Sequence, residues 1–279
     1  MNYLGLDELL LSSLREDLGG GDITTECCVA EDAVSGGRFV AKADGVICGL
    51  AVAARVFALL DRKIVFTPRT LDGERVSTGE VIAEIEGPSR GILTGERLAL
   101  NLLQHLSGVA TMTAQAASQI SGTGAKIVDT RKCTPGLRVL EKYAVRVGGG
   151  SNHRFNLSDG VLIKDNHIAA AGSISSAVSA AKATVPHTMK IEVEVSSLEG
   201  VREALDAGAD IIMLDNMDCA AMSEAVSLID SRALTEASGN MGERDLREVA
   251  ETGVDFISIG ALTHSVKALD ISLQITDKR

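Results

Sequence analysis

Apolar residues in the first third of the chain repeat at two different spacings. Leu6, Leu9, Leu10 and Leu14 fall three and four apart, which predicts an amphipathic helix from Leu6 to Leu18, closed by the glycines at 19–21. Asp22 and Thr24 follow as turn or cap residues. GRFVAKA, KIVFTP and VIAEIEG then read as short strands around an apolar helix from Leu50 to Leu60, with Asp72-Gly73 as a turn. From Ser89 to Ser121 the helical spacing returns, with Leu98, Leu102, Leu103 and Leu106 as the buried stripe. Gly108 sits in that run and predicts a break into two helices that bridge two domains. His105 is expected to be a satisfied packing residue.

Beyond Ala125 the pattern changes. Six apolar runs, KIVDTRK, GVLIKDNH, KIEVEVSS, DIIMLDNM, ALTEASGN and DFISIGAL, alternate with helical stretches such as Leu198–Ala207. Strands this uniformly apolar suit a parallel sheet covered on both faces, and the helices are the crossovers that parallel strands need. The expectation is a small N-terminal α+β sandwich domain (1–105) followed by an incomplete, about six-stranded parallel β/α barrel (106–265). A doubly wound open sheet is the fallback, but no GxGxxG opens a crossover helix. The alternating run from Ala268 to Thr276 is expected to return to the first domain, in a closing segment 266–279.

Composition narrows the function classes. The chain has 279 residues, a net charge of −11, no Trp and only 3% aromatic residues. That disfavours nucleic acid as the partner, which calls for a broad basic surface or stacking platforms. The apolar runs are too short to cross a bilayer. Five scattered cysteines without a CxxC or Cys/His pattern argue against zinc, and with no secretory segment ahead of Leu4 they point to a reduced cytoplasmic location. Cys133 is read as a small packing residue.

Charge is unevenly distributed. The stretch from Asp129 to His167 holds seven cations against four anions, a net +3, while the other residues carry −14. Such a concentration recruits polyanions. Arg138, Lys142 and Arg146 fit a solvated basic helix, whereas Arg131, Lys132, Arg154 and Lys164 lie beside strand ends, where a β/α barrel carries its chemistry. The strand ends also supply Asp129 and Thr130, Glu192 with Glu194 on one face, Asp215 and Asn216, and Glu236. Ser238, Gly239, Asn240, Ile259, Gly260 and Ala261 form two small-residue endings that let backbone N–H groups approach a phosphate.

DTRKCTPGLRVLEKYAVRVGGGSNHRFNLSDGVLIKDNH resembles the signature of the nicotinate-nucleotide pyrophosphorylase, or quinolinate phosphoribosyltransferase, family. EDLGGGDITTE, GERLALNLLQHLSGVAT, IEVEVSSLEG, IIMLDNM, EASGN and ISIGALTHS extend the resemblance over nearly the whole chain. It implies an α/β sandwich, a barrel of fewer than eight strands, and transfer of a phosphoribosyl group from phosphoribosyl pyrophosphate to quinolinate with loss of CO2. It also implies a homodimer or a hexamer (a trimer of dimers) in which Arg97 reaches the neighbouring site. Carried over by motif, Arg131, Lys132, His153 and Arg154 face the dicarboxylate. Thr130 belongs to the same substrate-binding set. Lys164, Glu194 and Asp215 line the ribose and pyrophosphate side, the phosphate is held by the two small-residue endings, and His264 lies close by. Lys132, Lys164, Glu194 and Asp215 are the expected catalytic residues. Mg2+ is the expected cofactor, with Glu194 and Asp215 as candidate ligands to an ion held mainly by substrate. Cys133 departs from the Thr frequent in the family.

Other readings stay open at this level. Gly73–Gly79 with VIAEIEG faintly suggests a lipoate or biotin carrier, but Lys42 sits within a strand. Lys164 could serve a Schiff-base aldolase, and a phosphate-sugar binding protein would need no chemistry. A relative associated with molybdenum transport genes shares the fold but is expected to lack the TRK, NHR and KDNH pieces.

Overall fold

A computed structural model describes residues 5–276, so positions 1–4 of the expected first domain and 277–279 of the closing segment lie outside it. In chain order come α1 (Leu6–Leu18), α2 (Ile23–Cys28), β1 (Val34–Ala41), β2 (Gly45–Val46), α3 (Leu50–Leu60), β3 (Val65–Pro68), β4 (Arg75–Val76), β5 (Val81–Pro88) and α4 (Ser89–Gln119). Then follow β6 (Lys126–Val128), α5 (Arg138–Val147), β7 (Val161–Ile163), α6 (Asp165–Ala171), α7 (Ile174–Thr184), β8 (Ile191–Val195) and α8 (Leu198–Asp206). The chain continues with β9 (Ile211–Asp215), α9 (Cys219–Ile229), β10 (Leu234–Ser238), α10 (Leu246–Glu251), β11 (Phe256–Ser258), α11 (Ala261–His264) and β12 (Ile271–Thr276).

Two compact units result. The first gathers residues up to 114, 135–148 and from 266 on; the second gathers 115–134 and 149–265. Residues 106–114 and 135–148, inside the span 106–265 expected for the second domain, thus cluster with the first unit.

The first unit is built on an antiparallel sheet ordered β12-β1-β5-β3, beside the small pair β2-β4. The closing strand β12 lies along β1, with Phe39 opposite Leu273. Phe39, Phe57 and Phe66 meet with ring centroids 5.3–6.2 Å apart and make the centre of this core. The leucine stripe of α4 is buried as expected, but the helix does not break at Gly108. A Cβ there would lie 2.4 Å from the carbonyl oxygen of Lys267 and 3.1 Å from Ala268 Cα. This glycine admits a crossing backbone; it does not end a helix. His105 Nε2 meets Glu141 Oε1 at 2.8 Å, so the histidine is a packing residue with a partner. On α5 the expectation of a solvated basic face fails for Lys142, which is fully buried together with Glu141, although Arg146 is exposed. The helix buries Leu140, Ala144 and Val145 as well, and Lys142 lies on that covered side.

The second unit is a six-stranded parallel sheet ordered β6-β11-β10-β9-β8-β7. Strands consecutive in the chain are neighbours from β7 to β11, and β6 then pairs with β11 instead of β7. That is barrel order with an unpaired seam between β6 and β7, partly bridged where Val128 meets Ser151. β8 and β9 are buried almost throughout, as expected of strands covered on both sides. Among the described residues no helix is long and apolar enough to cross a membrane.

Replacing Gly108 by Ala should destabilise the protein by about 1–3 kcal/mol, the usual cost of forcing atoms into a filled contact. Urea unfolding of wild type and Gly108→Ala measures it, and an unchanged midpoint would show that the backbone crossing can relax.

Candidate active site

Because all six strands run the same way, their C-terminal ends share one rim of the second unit, and side-chain alternation decides what enters from each. A cavity of about 790 Å³ opens there. Thr130, Arg131 and Lys132 reach it from the end of β6, Leu162 and Lys164 from β7, Glu194 from β8, and Met213 and Asp215 from β9. Glu236 and Ser238 of β10, the following Gly239 and Asn240, and Gly260, Ala261 and His264 after β11 complete most of the wall. His153 and Arg154 enter across the seam between β6 and β7.

Several local devices hold these groups. Asp129, expected at a strand end, is fully buried and accepts the His153 N–H at 2.9 Å and the Asn152 side-chain amide, tying the 151–154 segment to β6. Arg154 Nη1 donates to Gly160 O at 2.8 Å. Burial, and then the charge of Arg131, push the Arg154 pKa down, while Glu192 opposes the shift. Lys164 Nζ pairs with Glu194 Oε2. The lysine is 44% exposed, so this contact mainly sets direction and adds at most about 1 kcal/mol. It also commits the amine that a Schiff-base reaction would need free. Asp215 is oriented by Asn216, whose Nδ2 donates to Asp215 Oδ2 at 2.7 Å. Asn216 itself has φ 54°, and its N–H donates to Ser238 O at 3.0 Å. Its side chain fills the space that a Cβ on Gly239 (φ 96°) would occupy, 2.3 Å from Asn216 Oδ1. Gly239 is therefore required both by backbone conformation and by this contact.

Both family models of quinolinate phosphoribosyl transferase match, the N-terminal domain over residues 22–107 and the C-terminal domain over 109–274. The chain belongs to the quinolinate phosphoribosyltransferase family. It is 48% identical to a probable nicotinate-nucleotide pyrophosphorylase (carboxylating) of Bacillus subtilis over 99% of this chain and 95% of the relative. It is 44% identical to the nicotinate-nucleotide pyrophosphorylase (carboxylating) of Mycobacterium leprae, over 94% of each. Among solved structures, NadC from Streptococcus pyogenes superposes with a TM-score of 0.92 at 44% identity, over 99% of each chain. The nicotinate-nucleotide pyrophosphorylase of Francisella tularensis gives 0.94 at 41% identity, over 99% of this chain and 98% of that one.

Of the residues expected to form a quinolinate phosphoribosyltransferase site, the rim of the second unit brings together all but two. Ile259 is 2% exposed, and its N–H is taken by Val128 O at 3.0 Å. It is sheet core, because alternation along β11 points Ser258 and Gly260 inward instead. Arg97 belongs to the first unit, where it is exposed on α4. His153 lines the cavity with both ring nitrogens engaged. Nδ1 lies 2.7 Å from the Arg154 N–H, which can only donate, so Nδ1 accepts. Nε2 then carries the proton, 3.0 Å from Glu192 Oε2 and 3.8 Å from Glu236 Oε2.

Those two glutamates are what the sequence reading left without a role. They are 4% and 3% exposed, and Glu236, with His153 and Arg154, also lines a second cavity of about 330 Å³ toward the N-terminal strand ends. The signal was present: Glu192 shares a face with Glu194 in IEVEV, and Glu236 shares one with Ser238 in LTEAS. Burial, then the charge of Glu192, push the Glu236 pKa up to about 8, against the pull of His153 and Ser258.

Since folding lifts this carboxyl from its ordinary value near 4.5 to about 8, the folded protein holds an extra proton between those values. Stability should therefore fall as pH rises through that window, by up to about 5 kcal/mol. Glu236→Gln should remove that part of the decline. Urea midpoints at acidic and mildly alkaline pH measure it, and equal slopes in the two proteins would assign the effect elsewhere.

Proposed function

We propose that this chain transfers the phosphoribosyl group of phosphoribosyl pyrophosphate to quinolinate and releases CO2, giving nicotinate mononucleotide and pyrophosphate. The observation that carries the reading is the meeting of Arg131, Lys132, Arg154 and Lys164, from separate segments, in one cavity with Glu194 and Asp215. A dianionic acceptor and a polyanionic donor repel each other, and a rim of cations is what lets them share a pocket.

Arg131 and Arg154 are set to hold the pyridine carboxylates through paired guanidinium contacts, with Lys132 beside them. Gly239, Asn240, Gly260 and Ala261 offer backbone N–H groups to the 5′-phosphate, with Ser238 and His264 alongside. As pyrophosphate departs, positive charge develops at ribose C1, and the ring nitrogen attacks it. Glu194 and Asp215 supply fixed negative charge to that centre. Once bonded to ribose the nitrogen is cationic, so the electrons of the breaking C2–carboxylate bond have a sink as CO2 leaves. A proton then takes the vacated position.

Two hard carboxylates at one rim fit a magnesium ion that arrives on the substrate. Glu194 is already engaged by Lys164, which leaves Asp215 as the side chain that would hold the hydrated ion. When bound, the ion offsets the charge of the leaving pyrophosphate. The reading extends to a homodimer, or a hexamer of three dimers, in which exposed Arg97 enters the neighbouring site. Five free cysteines fit a cytoplasmic location.

Incubation with quinolinate, phosphoribosyl pyrophosphate and Mg2+ should yield nicotinate mononucleotide, and its absence would reject the assignment. Arg131→Ala should lower kcat/KM for quinolinate by about a hundredfold, equivalent to roughly 3 kcal/mol. Unchanged turnover would remove Arg131 from the site. Mixing Arg97→Ala with Lys164→Ala protein should restore activity through hybrid assemblies, and no recovery despite demonstrated subunit exchange would count against a shared site.

A further inference from the structure

The buried acids under the cavity do nothing in the reaction as drawn above. Glu192 and Glu236 stand on the inner face of β8 and β10, and each keeps its Oε1 buried with no hydrogen-bond partner. Glu192 Oε2 takes the His153 Nε2–H at 3.0 Å, while Glu236 Oε2 stands 3.8 Å from the same nitrogen with Ser258 beside it. One N–H cannot satisfy two carboxylates, and two adjacent carboxylates only 4% and 3% exposed resist being ionised together. A proton must reside on the pair. The groups facing Glu236 are Glu192 of β8, His153 and Arg154 of the segment crossing the seam, Asp129 after β6 and Ser258 of β11. Asp159 and Lys190 also line the smaller cavity with Glu236, Arg131 shares the larger one, and part of the Arg154 guanidinium is turned to Gly160.

Glu236 is the member of the pair that lines the large cavity, where it shares the wall with Arg131 and Arg154. We propose that Glu236 meets quinolinate as a neutral carboxylic acid and donates a hydrogen bond to one of its two carboxylates. The arginines then provide charge and Glu236 provides a donor that adds no repulsion, a division that suits a diacid. A pyridine bearing one carboxylate would leave either an arginine or the buried acid without its partner. Such a site rejects the monoacid by the penalty of an unpaired buried group. Glu236 is thus a specificity-determining residue for the acceptor, and Glu192 with His153 the frame that keeps its proton in place.

The inference rests on the cavity being the quinolinate site, and wild-type turnover tests that first, so the two failures are distinguishable. With the wild type active, KM for each substrate is measured from about pH 7 to about pH 9 in wild type and Glu236→Gln. The wild-type KM for quinolinate should rise about tenfold over that range as the proton is lost, while that for phosphoribosyl pyrophosphate stays level. In Glu236→Gln the quinolinate KM should not change with pH, whatever its level. The same rise in the variant would overturn the proposal. Should the variant not fold, infrared difference spectra of wild type carrying 13C-labelled glutamate replace it. A protonated-carboxyl band that shifts on adding quinolinate is expected, and no such band at neutral pH would overturn the idea. A stoichiometric divalent metal in the purified protein, lost when quinolinate binds or when the chain is treated with chelator at no cost to fold, would also overturn it by giving the two acids a different occupant.

Discussion

Parallel pairing is the constraint on which the second unit depends. Six strands hydrogen-bonded in one direction put every C-terminus on the same rim, so residues more than a hundred positions apart, such as Arg131 and Gly260, line one cavity. The pleat then sorts each strand end into a side chain for the cavity and one for the outer layer. Lys164, Glu194, Asp215 and Ser238 share the rim because each sits at or just beyond the last inward position of its strand. The unpaired edge between β6 and β7 is equally consequential, since His153 and Arg154 enter through it and Asp129 fixes where they stop.

The charges in this cavity are arranged by depth. Arg131, Lys132 and Lys164 lie toward solvent, where long cationic side chains keep most of their hydration, while Glu192 and Glu236 lie underneath with almost none. Anionic substrates therefore meet attraction first. Below, His153 offers its Nε2–H to Glu192, and burial with the charge of Glu192 pushes the Glu236 pKa up to about 8. The pocket is not purely basic, since Glu194 and Asp215 place negative charge at the same rim.

Much of this was legible in the chain. The six Val/Ile/Leu runs announced a covered parallel sheet, and the polar residues closing each run named the rim almost completely. What escaped depended on neighbours distant in sequence. Gly108 looked like a helix breaker because the backbone of Lys267, which it admits, is over 150 residues away. Lys142 looked solvated because its charge says nothing of what covers α5. Ile259 was grouped with phosphate-binding neighbours, although alternation along its own strand turns it into the core. Glu192 and Glu236 were visible as inward acids, but only the fold shows that both close on one histidine.

The path of the backbone has its own consequence. Between the two units the chain passes four times, after residues 114, 134, 148 and 265. No single cut isolates the unit that carries the rim, and any contiguous fragment spanning it would drag along α5 with Leu140, Glu141 and Lys142 stripped of their cover. Neither unit is a contiguous segment of chain, so moving one onto a new neighbour takes more than a single junction.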